Sequence, residues 1–433
     1  MQYWEKEIET MSREALNELQ LKGLKESLKA SLNSSFYKKK YEECGVDINT
    51  IQTLDDLQKL PFTTKEDLRA NYPFGMAAIP IKECVRLHAS SGTTGSPTVV
   101  LHSQKDLDDW ANQVARCMYM VGLRDTDVFQ NTSGYGMFTG GLGFQYGAER
   151  LGALTIPAAA GNSKRQLKFI KDFGTTCLHI IPSYATRLAE VMLDLGVDPK
   201  ADTELHTICI GAEPHSEEQR LRIEKLLGVK AYNCFGMSEM NGPGVAFECQ
   251  EQNGLHIWED YTIVEIINPD TLEHVKDGEI GELVLTTIRR EAMPLIRYRT
   301  RDLTAIMPGE CPCGRTHSRL MRFQGRSDDM IILKGVNIFP IQIETILMAF
   351  KELGSNYLIT IESVGNNDEM LIEVELSELF TDDYVTLQKL NKTIVSQLRD
   401  ELLITPHLKF VSKGSLPVSE GKAVRVKDLR KLK

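Results

Sequence analysis

Strand-like runs and helix-like stretches alternate along residues 85–230, and this alternation constrains the fold more than any other feature of the chain. The runs TVVLH, DVFQN, ALTIPA, CLHIIP and HTICIGA are short and mostly apolar or β-branched. Between them lie longer helix-like stretches, among them DLDDWANQVARCMYMVG and SYATRLAEVMLDLG. Strands that alternate with helices form parallel sheets, because each helix returns the chain to the same edge. The pattern therefore predicts an α/β fold with a parallel sheet.

The flanking regions predict further structure on both sides of this sheet. Residues 1–80 form a helical lead-in, and residues 255–325 carry the runs YTIVEIIN, EIGELVLTTI and LTAIM, which predict a smaller β-rich subdomain. The segment GRSDDMIILKGVNIFPIQIE at 325–344 marks a boundary, and the patterns beyond it are those of a compact α+β unit. Since 433 residues exceed one ordinary core, we predict an N-terminal domain of residues 1–326 and a C-terminal domain of residues 327–433.

Composition argues against several classes of protein. The net charge of −10 disfavours a nucleic-acid partner, because proteins of that class carry a basic excess. No apolar stretch is long enough to span a membrane, and the charged start MQYWEKEIETMSREAL lacks the apolar core of a signal peptide. We therefore expect a cytoplasmic protein. The nine cysteines, an odd number without a secretory signal, argue against a disulfide framework.

The segment HASSGTTGSPTVV at residues 88–100 concentrates glycines and hydroxyl groups before a β-branched run. Glycine lets the backbone approach a ligand closely, and hydroxyl and N–H donors suit anionic oxygens. A Walker loop is excluded, because Gly92 and Gly95 have the wrong spacing and Ser96 stands where a lysine would be needed. Taken alone, the segment fits a polyphosphate cradle and a plain surface loop about equally.

Four further blocks follow this loop in a fixed order: YNCFGMSEM at 232–240, YRTRDL at 298–303, GRSDD at 325–329 and SEGKAVRV at 419–426. Together with the loop they resemble the adenylate-forming superfamily of acyl-CoA synthetases. The finer blocks SSGTTG, YGMFTGG, GAEP and GMSEMNGPGVAFEC are similar to its phenylacetate–CoA ligase branch. The resemblance extends from about residue 85 to the end of the chain.

The resemblance implies a reaction in two halves. A carboxylate attacks the α-phosphate of ATP, with Mg²⁺ as cofactor, and gives an acyl-adenylate and pyrophosphate. The thiol of coenzyme A then displaces AMP. The implied acid is an aryl acid, phenylacetate or a related arylacetate. The resemblance also implies a large N-terminal adenylation domain that binds AMP and the acyl group, a mobile C-terminal lid domain with a catalytic lysine, and a homodimer.

Two groups of residues are implied to surround the nucleotide. The phosphate cradle comprises Ser90, Ser91, Gly92, Thr93, Thr94 and Gly95. The adenine pocket comprises Gly211, Ala212, Glu213, Pro214, Tyr232, Asn233, Phe235, Gly236 and Met237. Most members of the superfamily have a lysine where this chain has Ser96, so the loop lacks one cation.

Three side chains are implied to contact the nucleotide through charge or hydrogen bonds. Glu239 would hold Mg²⁺, since hard cations prefer carboxylate oxygens, and Ser238 would donate to the α-phosphate. Asp302 would accept from both ribose hydroxyls. Local sequence leaves alternatives open, because Glu239 could be a surface acid and Asp302 could pair with Arg299 or Arg301.

Lys422 in SEGK is implied to be the catalytic lysine. Its flexible cationic side chain could bridge the attacking carboxylate and the α-phosphate. Because Lys422 belongs to the C-terminal domain, that domain must close for the first half-reaction. The resemblance places the hinge at Asp328, just after Arg326, which would reach the ribose or phosphate. By local sequence alone, a solvated surface lysine is the alternative.

The implied acyl pocket is an apolar slot with small residues at its floor, which suits a flat ring. Its residues are Tyr135, Phe138, Gly140, Gly141, Asn241 and Pro243. Asn241 stands where the arylacetate branch usually has an aliphatic residue, and its amide could contact a polar group of the substrate or bond its own turn. Tyr135 and Phe138 fit equally well as core aromatics.

Cys249 and His256 in ECQEQNGLHIW, with Cys311 and Cys313 in GECPCGRTH, predict a structural zinc site. Zinc prefers four N or S ligands in a tetrahedron, and these residues provide three thiolates and one imidazole. His317 is the alternative fourth ligand, and free thiols are the alternative to a metal. A closed site of this kind would clip loops together.

Three other functions remain open at this point. An adenylate-forming enzyme could pass its acyl group to a carrier protein or an amine. A relative could keep the fold and bind zinc without catalysis, for which the missing loop lysine is the only support. A phosphate-hydrolysing NTPase would need no carboxylic acid, and the absent Walker lysine argues against it.

Overall fold

Five helices begin after a side chain that accepts from an amide of the first turn, namely those preceded by Ser12, Thr64, Ser103, Asn162 and Ser216. Ser103, for example, precedes a 17-residue helix and accepts from the amide of Asp106 at 3.1 Å. The computed structural model describes residues 2–90, 97–364, 367–377, 384–417 and 423–432. Its α-helices are α1 (Lys6–Glu9), α2 (Arg13–Ser31), α3 (Ser35–Cys44), α4 (Lys65–Ala70), α5 (Gln104–Met120), α6 (Thr139–Leu151), α7 (Ser163–Asp172), α8 (Pro182–Asp194), α9 (Glu217–Leu227), α10 (Pro340–Met348) and α11 (Tyr384–Leu402).

The strands are short, and many have buried residues along their whole length. They are β1 (Arg86–Ala89), β2 (Val99–His102), β3 (Val128–Asn131), β4 (Leu154–Ile156), β5 (Cys177–Ile180), β6 (Thr207–Gly211), β7 (Lys230–Met237), β8 (Gly242–Glu248), β9 (Leu255–Ile257), β10 (Thr262–Ile267), β11 (Gly281–Thr287), β12 (Tyr298–Thr304), β13 (Ile306–Met307), β14 (Arg319–Leu320), β15 (Gly325–Arg326), β16 (Ile331–Leu333), β17 (Val336–Ile338), β18 (Leu353–Val364), β19 (Asn367–Leu376), β20 (His407–Val411) and β21 (Val426–Asp428).

Within the described residues, the largest sheet has nine strands in the order β13-β14-β9-β8-β7-β6-β5-β3-β4. Neighbouring strands among β4, β3, β5, β6 and β7 are parallel. Strands β8, β9, β14 and β13 continue the sheet beyond β7 with antiparallel pairings. This confirms the predicted α/β fold with a parallel sheet. One predicted strand lies elsewhere: the run TVVLH forms β2, which pairs antiparallel with β1.

The parallel arrangement brings the ends of two strands to one edge of the sheet. In the register of β6 and β7, Gly211 lies opposite Cys234. A Cβ at Gly211 would collide with the carbonyl oxygen of Cys234, so only glycine allows the two strands to meet there. The loops that follow these strands lie at the carboxyl edge of the parallel strands, where open α/β sheets bind their ligands.

The strand-rich region after residue 255 contributes to two sheets. Strands β10, β11, β12 and β15 form the predicted smaller sheet. The prediction of one separate sheet is incomplete, because β9, β13 and β14 extend the large sheet instead. The run LTAIM is split accordingly: β12 ends at Thr304, and β13 begins at Ile306.

The C-terminal region has a hydrophobic core of its own, formed by residues from Ile331 to Ile404. Strands β18 to β21 form a four-stranded sheet in the order β20-β19-β18-β21, and α10 and α11 contact each other beside it. This confirms the predicted α+β unit.

Two ion pairs join the helical lead-in to the rest of the N-terminal region, and the one between Glu9 and Arg315 is buried. Glu9 accepts from Arg315 at 2.6 Å, and Arg13 pairs with Glu259 at 2.8 Å. Among the helices that the structure describes, none combines the length and apolar character needed to cross a membrane.

Candidate active site

The two flanks of the predicted phosphate loop meet at one point. The amide of Ser90 donates to the carbonyl oxygen of Thr98 at 3.0 Å, and the amide of Thr98 donates to the hydroxyl of Ser90 at 3.0 Å. This reciprocal pair closes the base of the loop. The rest of the predicted cradle lies outside the described residues, namely Ser91, Gly92, Thr93, Thr94 and Gly95.

Glu239 is a buried acid beside the loop base. It follows β7 in a short 3-10 turn and is 5% exposed, which excludes a surface acid. Its Oε1 lies 3.5 Å from the hydroxyl of Thr98 and 3.8 Å from Nζ of Lys65. The buried Arg290 donates to the backbone carbonyl of Glu239 at 2.6 Å and thereby fixes the turn. A carboxylate and an ammonium group therefore converge where the loop begins.

Sequence reasoning does not find Lys65, because its segment reads only as the start of a helix. Lys65 is the first residue of α4, and Thr64 caps that helix. The preceding Thr63 is buried, and its carbonyl accepts from the amide of Arg299 on β12 at 2.9 Å. The helix start is therefore anchored beside the site. Ser96 was the one sequence feature that could have pointed to Lys65. If the loop binds phosphate without a lysine of its own, a cation must come from elsewhere in the chain.

The predicted adenine residues lie mostly at the adjacent ends of β6 and β7. Those at or near these ends are Gly211, Ala212, Glu213, Pro214, Phe235, Gly236 and Met237, whereas Asn233 lies midway along β7 opposite Ile210. Phe235 stacks on Phe323 with ring centroids 4.1 Å apart, while Ala212 and Pro214 are exposed. Tyr232 is placed differently: its side chain belongs to the buried cluster that contains Trp110.

Asp302 lies on β12 opposite Arg326 on β15. Its Oδ1 is 3.7 Å from Nη1 of Arg326, whereas Arg299 and Arg301 pair with Glu282. The two arginines that local sequence left open as partners of Asp302 therefore pair with another acid, and the cation beside Asp302 is Arg326. Burial raises the pKa of Asp302 to about 6, and Arg326 opposes that shift.

The residues of the predicted acyl pocket surround the start of α6. Phe138 is the N-cap of this helix and is 51% exposed, so it is not a core aromatic. The hydroxyl of Tyr135 accepts from the Asn131 amide group at 3.2 Å. A Cβ at Gly141 would lie 2.6 Å from the Gly134 carbonyl oxygen, which explains the glycine. Gly140 has no atom within 4 Å of such a Cβ and leaves open space.

The residues predicted to bind the nucleotide and those predicted to bind the acyl group are in contact. The hydroxyl of Ser238 lies 3.3 Å from that of Thr139, the first residue of α6. The carbonyl of Pro243 accepts from the indole nitrogen of Trp110 at 3.0 Å, which fixes the strand after the turn.

Asn241 has a left-handed backbone, with φ at +72°. Asparagine adopts this conformation more readily than aliphatic residues do, so the backbone alone accounts for its presence. Its side-chain oxygen is buried and has no hydrogen-bond partner among the residues that the structure describes.

The predicted catalytic lysine, Lys422, lies outside the described residues. The next residue, Ala423, is described, and its amide donates to Oε1 of Glu213 at 2.6 Å. At the predicted hinge, the guanidinium of Arg326 holds both oxygens of Asp328 at 2.8 Å. The C-terminal region therefore contacts the body next to the predicted adenine pocket.

The four predicted metal ligands are brought together and buried. The ligand atoms of Cys249, His256, Cys311 and Cys313 all lie within 4.8 Å of one another. The sulfurs of Cys249 and Cys311 are 3.7 Å apart, and Cys313 Sγ is 3.3 Å from His256 Nε2. Around a tetrahedral zinc ion these separations would be about 3.8 and about 3.6 Å. The donor set therefore fits zinc.

The surroundings of this cluster also favour His256 over His317 as the fourth ligand. The other ring nitrogen of His256 lies 3.3 Å from the His317 carbonyl oxygen, a contact typical of metal-bound imidazoles. Both ring nitrogens of His317 have other partners, the Glu259 amide at 3.0 Å and the Ile8 carbonyl at 3.0 Å.

Two family models match the chain. The model of the AMP-binding enzyme matches residues 7–289, and that of the AMP-binding enzyme C-terminal domain matches residues 335–430. The chain is also similar to curated phenylacetate–coenzyme A ligases. It is 42% identical to the one from Thermus thermophilus, with 99% of this chain and 100% of that protein covered. It is 44% identical to the one from Escherichia coli, with 98% and 97% covered.

Among solved structures, the chain resembles 2-hydroxyisobutyryl-CoA ligase in two states. The postadenylation state, in complex with 2-HIB-AMP, matches with a TM-score of 0.93 at 29% identity, covering 99% of this chain and 93% of that one. The thioesterification state, in complex with 2-HIB-AMP and CoA, matches with a TM-score of 0.73 at 30% identity, covering 99% and 94%.

Proposed function

We propose phenylacetate, or a closely related arylacetate, as the acid that this protein uses. The chain belongs to the AMP-binding enzyme family and is an AMP-forming acid–CoA ligase. The observation that carries the proposal is the 42–44% identity to curated phenylacetate–coenzyme A ligases over nearly the whole chain. The pocket supports it, because the space at Gly140 and the exposed ring of Phe138 suit a flat apolar group. The left-handed backbone of Asn241 favours asparagine whether or not the ring carries a polar group, and its buried side-chain oxygen is compatible with a hydroxyl on the ring.

In the first half-reaction, a carboxylate oxygen attacks the α-phosphorus of ATP and pyrophosphate leaves. Two anions must meet, so charge has to be neutralised where it develops. Glu239 would hold Mg²⁺, which neutralises phosphate charge when bound, and its burial beside the loop supports this role. Lys65 supplies the cation that the loop lacks at Ser96, and Ser238 donates to the α-phosphate.

The nucleoside is held at the carboxyl edge of the large sheet. Asp302 accepts from the ribose hydroxyls, and Arg326 beside it keeps the carboxylate ionised at neutral pH. The adenine lies across the ends of β6 and β7, next to the ring of Phe235. Because the side chain of Tyr232 packs in the buried cluster around Trp110, we do not include Tyr232 in the proposed adenine pocket.

Lys422 bridges the attacking carboxylate and the α-phosphate during adenylation. Residues 327–433 then rotate about Asp328 as a lid on the body of residues 1–326, and coenzyme A attacks the acyl-adenylate through its thiol. The two TM-scores support this motion, since the chain matches the postadenylation structure at 0.93 and the thioesterification structure at 0.73.

The cluster of Cys249, His256, Cys311 and Cys313 would hold a structural zinc ion. Its burial and its tetrahedral separations support a closed site, in which zinc supplies a cross-link between β9, the end of β8 and the loop before β14. No step of the reaction passes through this site. Homodimerisation remains a prediction.

The proposal is tested by measuring pyrophosphate release over a set of acids, with and without coenzyme A. The set contains phenylacetate, hydroxyphenylacetate, benzoate, 2-hydroxyisobutyrate and hexanoate. We expect the highest kcat/KM with phenylacetate or its hydroxy derivative, and conversion to the thioester when coenzyme A is added. A preference for 2-hydroxyisobutyrate would contradict the arylacetate assignment. Adenylate that forms but never reacts with coenzyme A would point to a carrier protein or an amine as acceptor.

A further inference from the structure

Glu213 occupies an unusual position in the predicted adenine pocket, because its carboxylate contacts the C-terminal lid. The amide of Ala423 donates to its Oε1 at 2.6 Å. Ala423 directly follows Lys422, so the donor is the N–H of the peptide bond that joins the two residues. A side chain of the body therefore holds the backbone immediately next to the lysine.

The body fixes Glu213 independently of the lid. Ser183, in the first turn of α8, donates its hydroxyl to Oε1 at 2.9 Å and its amide to Oε2 at 3.0 Å. A carboxylate at a helix N-terminus is stabilised by the unpaired amides and by the helix dipole. Glu213 is thus a preset acceptor that the lid meets when it closes.

A second contact between lid and body lies three residues further along. Glu344 of α10 is buried, and its Oε1 accepts from the amide of Ser216 at 2.8 Å. Its other oxygen accepts from the hydroxyl of Tyr357, which also belongs to the lid, at 2.8 Å. The guanidinium of Arg222 on α9 bonds to the carbonyl of Leu353. The segment 213–216 and α9 thus form the platform on which the lid rests.

We propose that Glu213 is a positioning residue for adenylation, which holds the backbone amide of Ala423 so that the preceding Lys422 is presented to the α-phosphate. The inference rests on the proposed function of Lys422 and deepens it. Glu344 supports the same arrangement through Ser216. Rotation of the lid releases the Ala423 amide and the Ser216 amide together, so neither contact serves the thioester step.

Glu213 could act on adenine or on the lysine segment, and the two roles have different kinetic consequences. If Glu213 contacted adenine, its removal would weaken the binding of ATP and of the acyl-adenylate equally and would raise KM for ATP. A contact with the lysine segment acts on the rate of adenylation and leaves nucleotide binding almost unchanged. Hydrogen bonds to charged groups are strong enough that removing them slows adenylation about ten- to a hundredfold.

The test compares Glu213→Ala with wild type in each half-reaction, using the acid that wild type turns over fastest. Adenylation is followed by exchange of labelled pyrophosphate into ATP without coenzyme A. Thioester formation is followed from chemically supplied acyl-adenylate and coenzyme A. We expect adenylation kcat to fall about ten- to a hundredfold, KM for ATP to stay within about threefold, and thioester formation to be unchanged.

Three variants accompany this one. Glu213→Gln keeps an oxygen acceptor and should recover part of the adenylation rate. Glu344→Gln, which alters the second contact, should show the same pattern with a smaller loss and carries the test if Glu213→Ala fails to fold. Glu43→Gln, which changes an exposed glutamate of α3 that pairs with Lys39, is the matched control and should behave as wild type.

The outcomes separate this inference from the proposed function. Unchanged adenylation in both Glu213→Ala and Glu344→Gln would overturn the positioning role while the ligase assignment stands. A rise in KM for ATP at constant kcat would assign Glu213 to nucleotide binding and overturn it as well. An equal fall in the rates of both half-reactions would show that Glu213 only maintains the fold, and it would also overturn the positioning role. Absence of acid-dependent exchange in wild type would contradict the proposed function itself.

Discussion

Glu239 and Lys65 show how single residues complete a site that no single motif contains. Glu239 comes from the turn after β7, and Lys65 comes from the helical lead-in more than a hundred residues earlier. They lie 3.8 Å apart. The acid was predictable from its motif, but the lysine was not, because a tertiary contact brings α4 to the loop base.

Replacement of Lys65 by methionine should slow adenylation about a hundredfold, because it removes a preorganised cation from the phosphate site. Labelled pyrophosphate exchange measures this rate, and Lys59→Met, which removes an exposed lysine paired with Asp56, is the control. Equal exchange in both variants would show that Lys65 does not act on the phosphates.

Replacement of Lys422 by alanine should nearly abolish adenylation, since charge no longer bridges the carboxylate and the α-phosphate. Thioester formation from supplied acyl-adenylate should remain close to wild type. Parallel assays of the two half-reactions check this, and survival of both would show that the lysine assignment is wrong.

Asp302 gives the site a pH dependence with a defined sign. Burial raises the pKa of Asp302 to about 6, so the carboxylate that we propose as the acceptor of the ribose hydroxyls is lost as pH falls through that value. Hydroxyl donors favour the ionised form, so KM for ATP should be constant above about pH 7 and rise below about pH 6. The measurement is KM for ATP across pH, and in Asp302→Asn it should be higher and lack this inflection. A flat wild-type profile would contradict the ribose role.

At the scale of elements, the alternation of strands and helices predicts the parallel half of the large sheet, but not its partners. The run TVVLH has the same composition as the strands of the sheet, yet β2 pairs with β1. Four-residue runs do not encode which edge they join. Likewise, β9 and β14 extend the large sheet through pairings between residues far apart in sequence.

The cysteine cluster joins three such elements, and its removal tests what it contributes. Cys311→Ser or Cys313→Ser should abolish binding of about one zinc per chain and lower Tm by about 5 °C or more, because the cross-link is lost. Metal analysis and thermal unfolding measure both effects. The control is Cys44→Ser, which changes an exposed thiol outside the cluster. Equal zinc content in all variants would contradict the metal site.

For the molecule as a whole, the proposed function requires the C-terminal lid to take two positions. The structure describes one of them, in which Ala423 and Glu344 contact the body. The sequence supplies the lid's own elements, but the contacts that orient the lid depend on surfaces that no motif contains. No sequence motif distinguishes Glu344 from other residues of its helix, and its partner in the body is a backbone amide, that of Ser216.

Asp328→Pro should separate the two half-reactions, because proline fixes φ at the predicted hinge. Adenylation should stay within about threefold of wild type, while thioester formation should fall by at least about tenfold. Asp328→Ala removes the pairing with Arg326 without fixing the backbone, and it should support both steps. A wild-type rate of thioester formation in Asp328→Pro would show that the hinge lies at another residue.

We expect the nucleotide to bind between the serine–threonine loop, Glu239 and Asp302, within reach of Lys65. A crystal structure with ATP tests this most directly. We expect the β- and γ-phosphates beside Lys65 and the loop, and the ribose hydroxyls on the Asp302 carboxylate. Nucleotide bound at any other place on the chain would contradict the account.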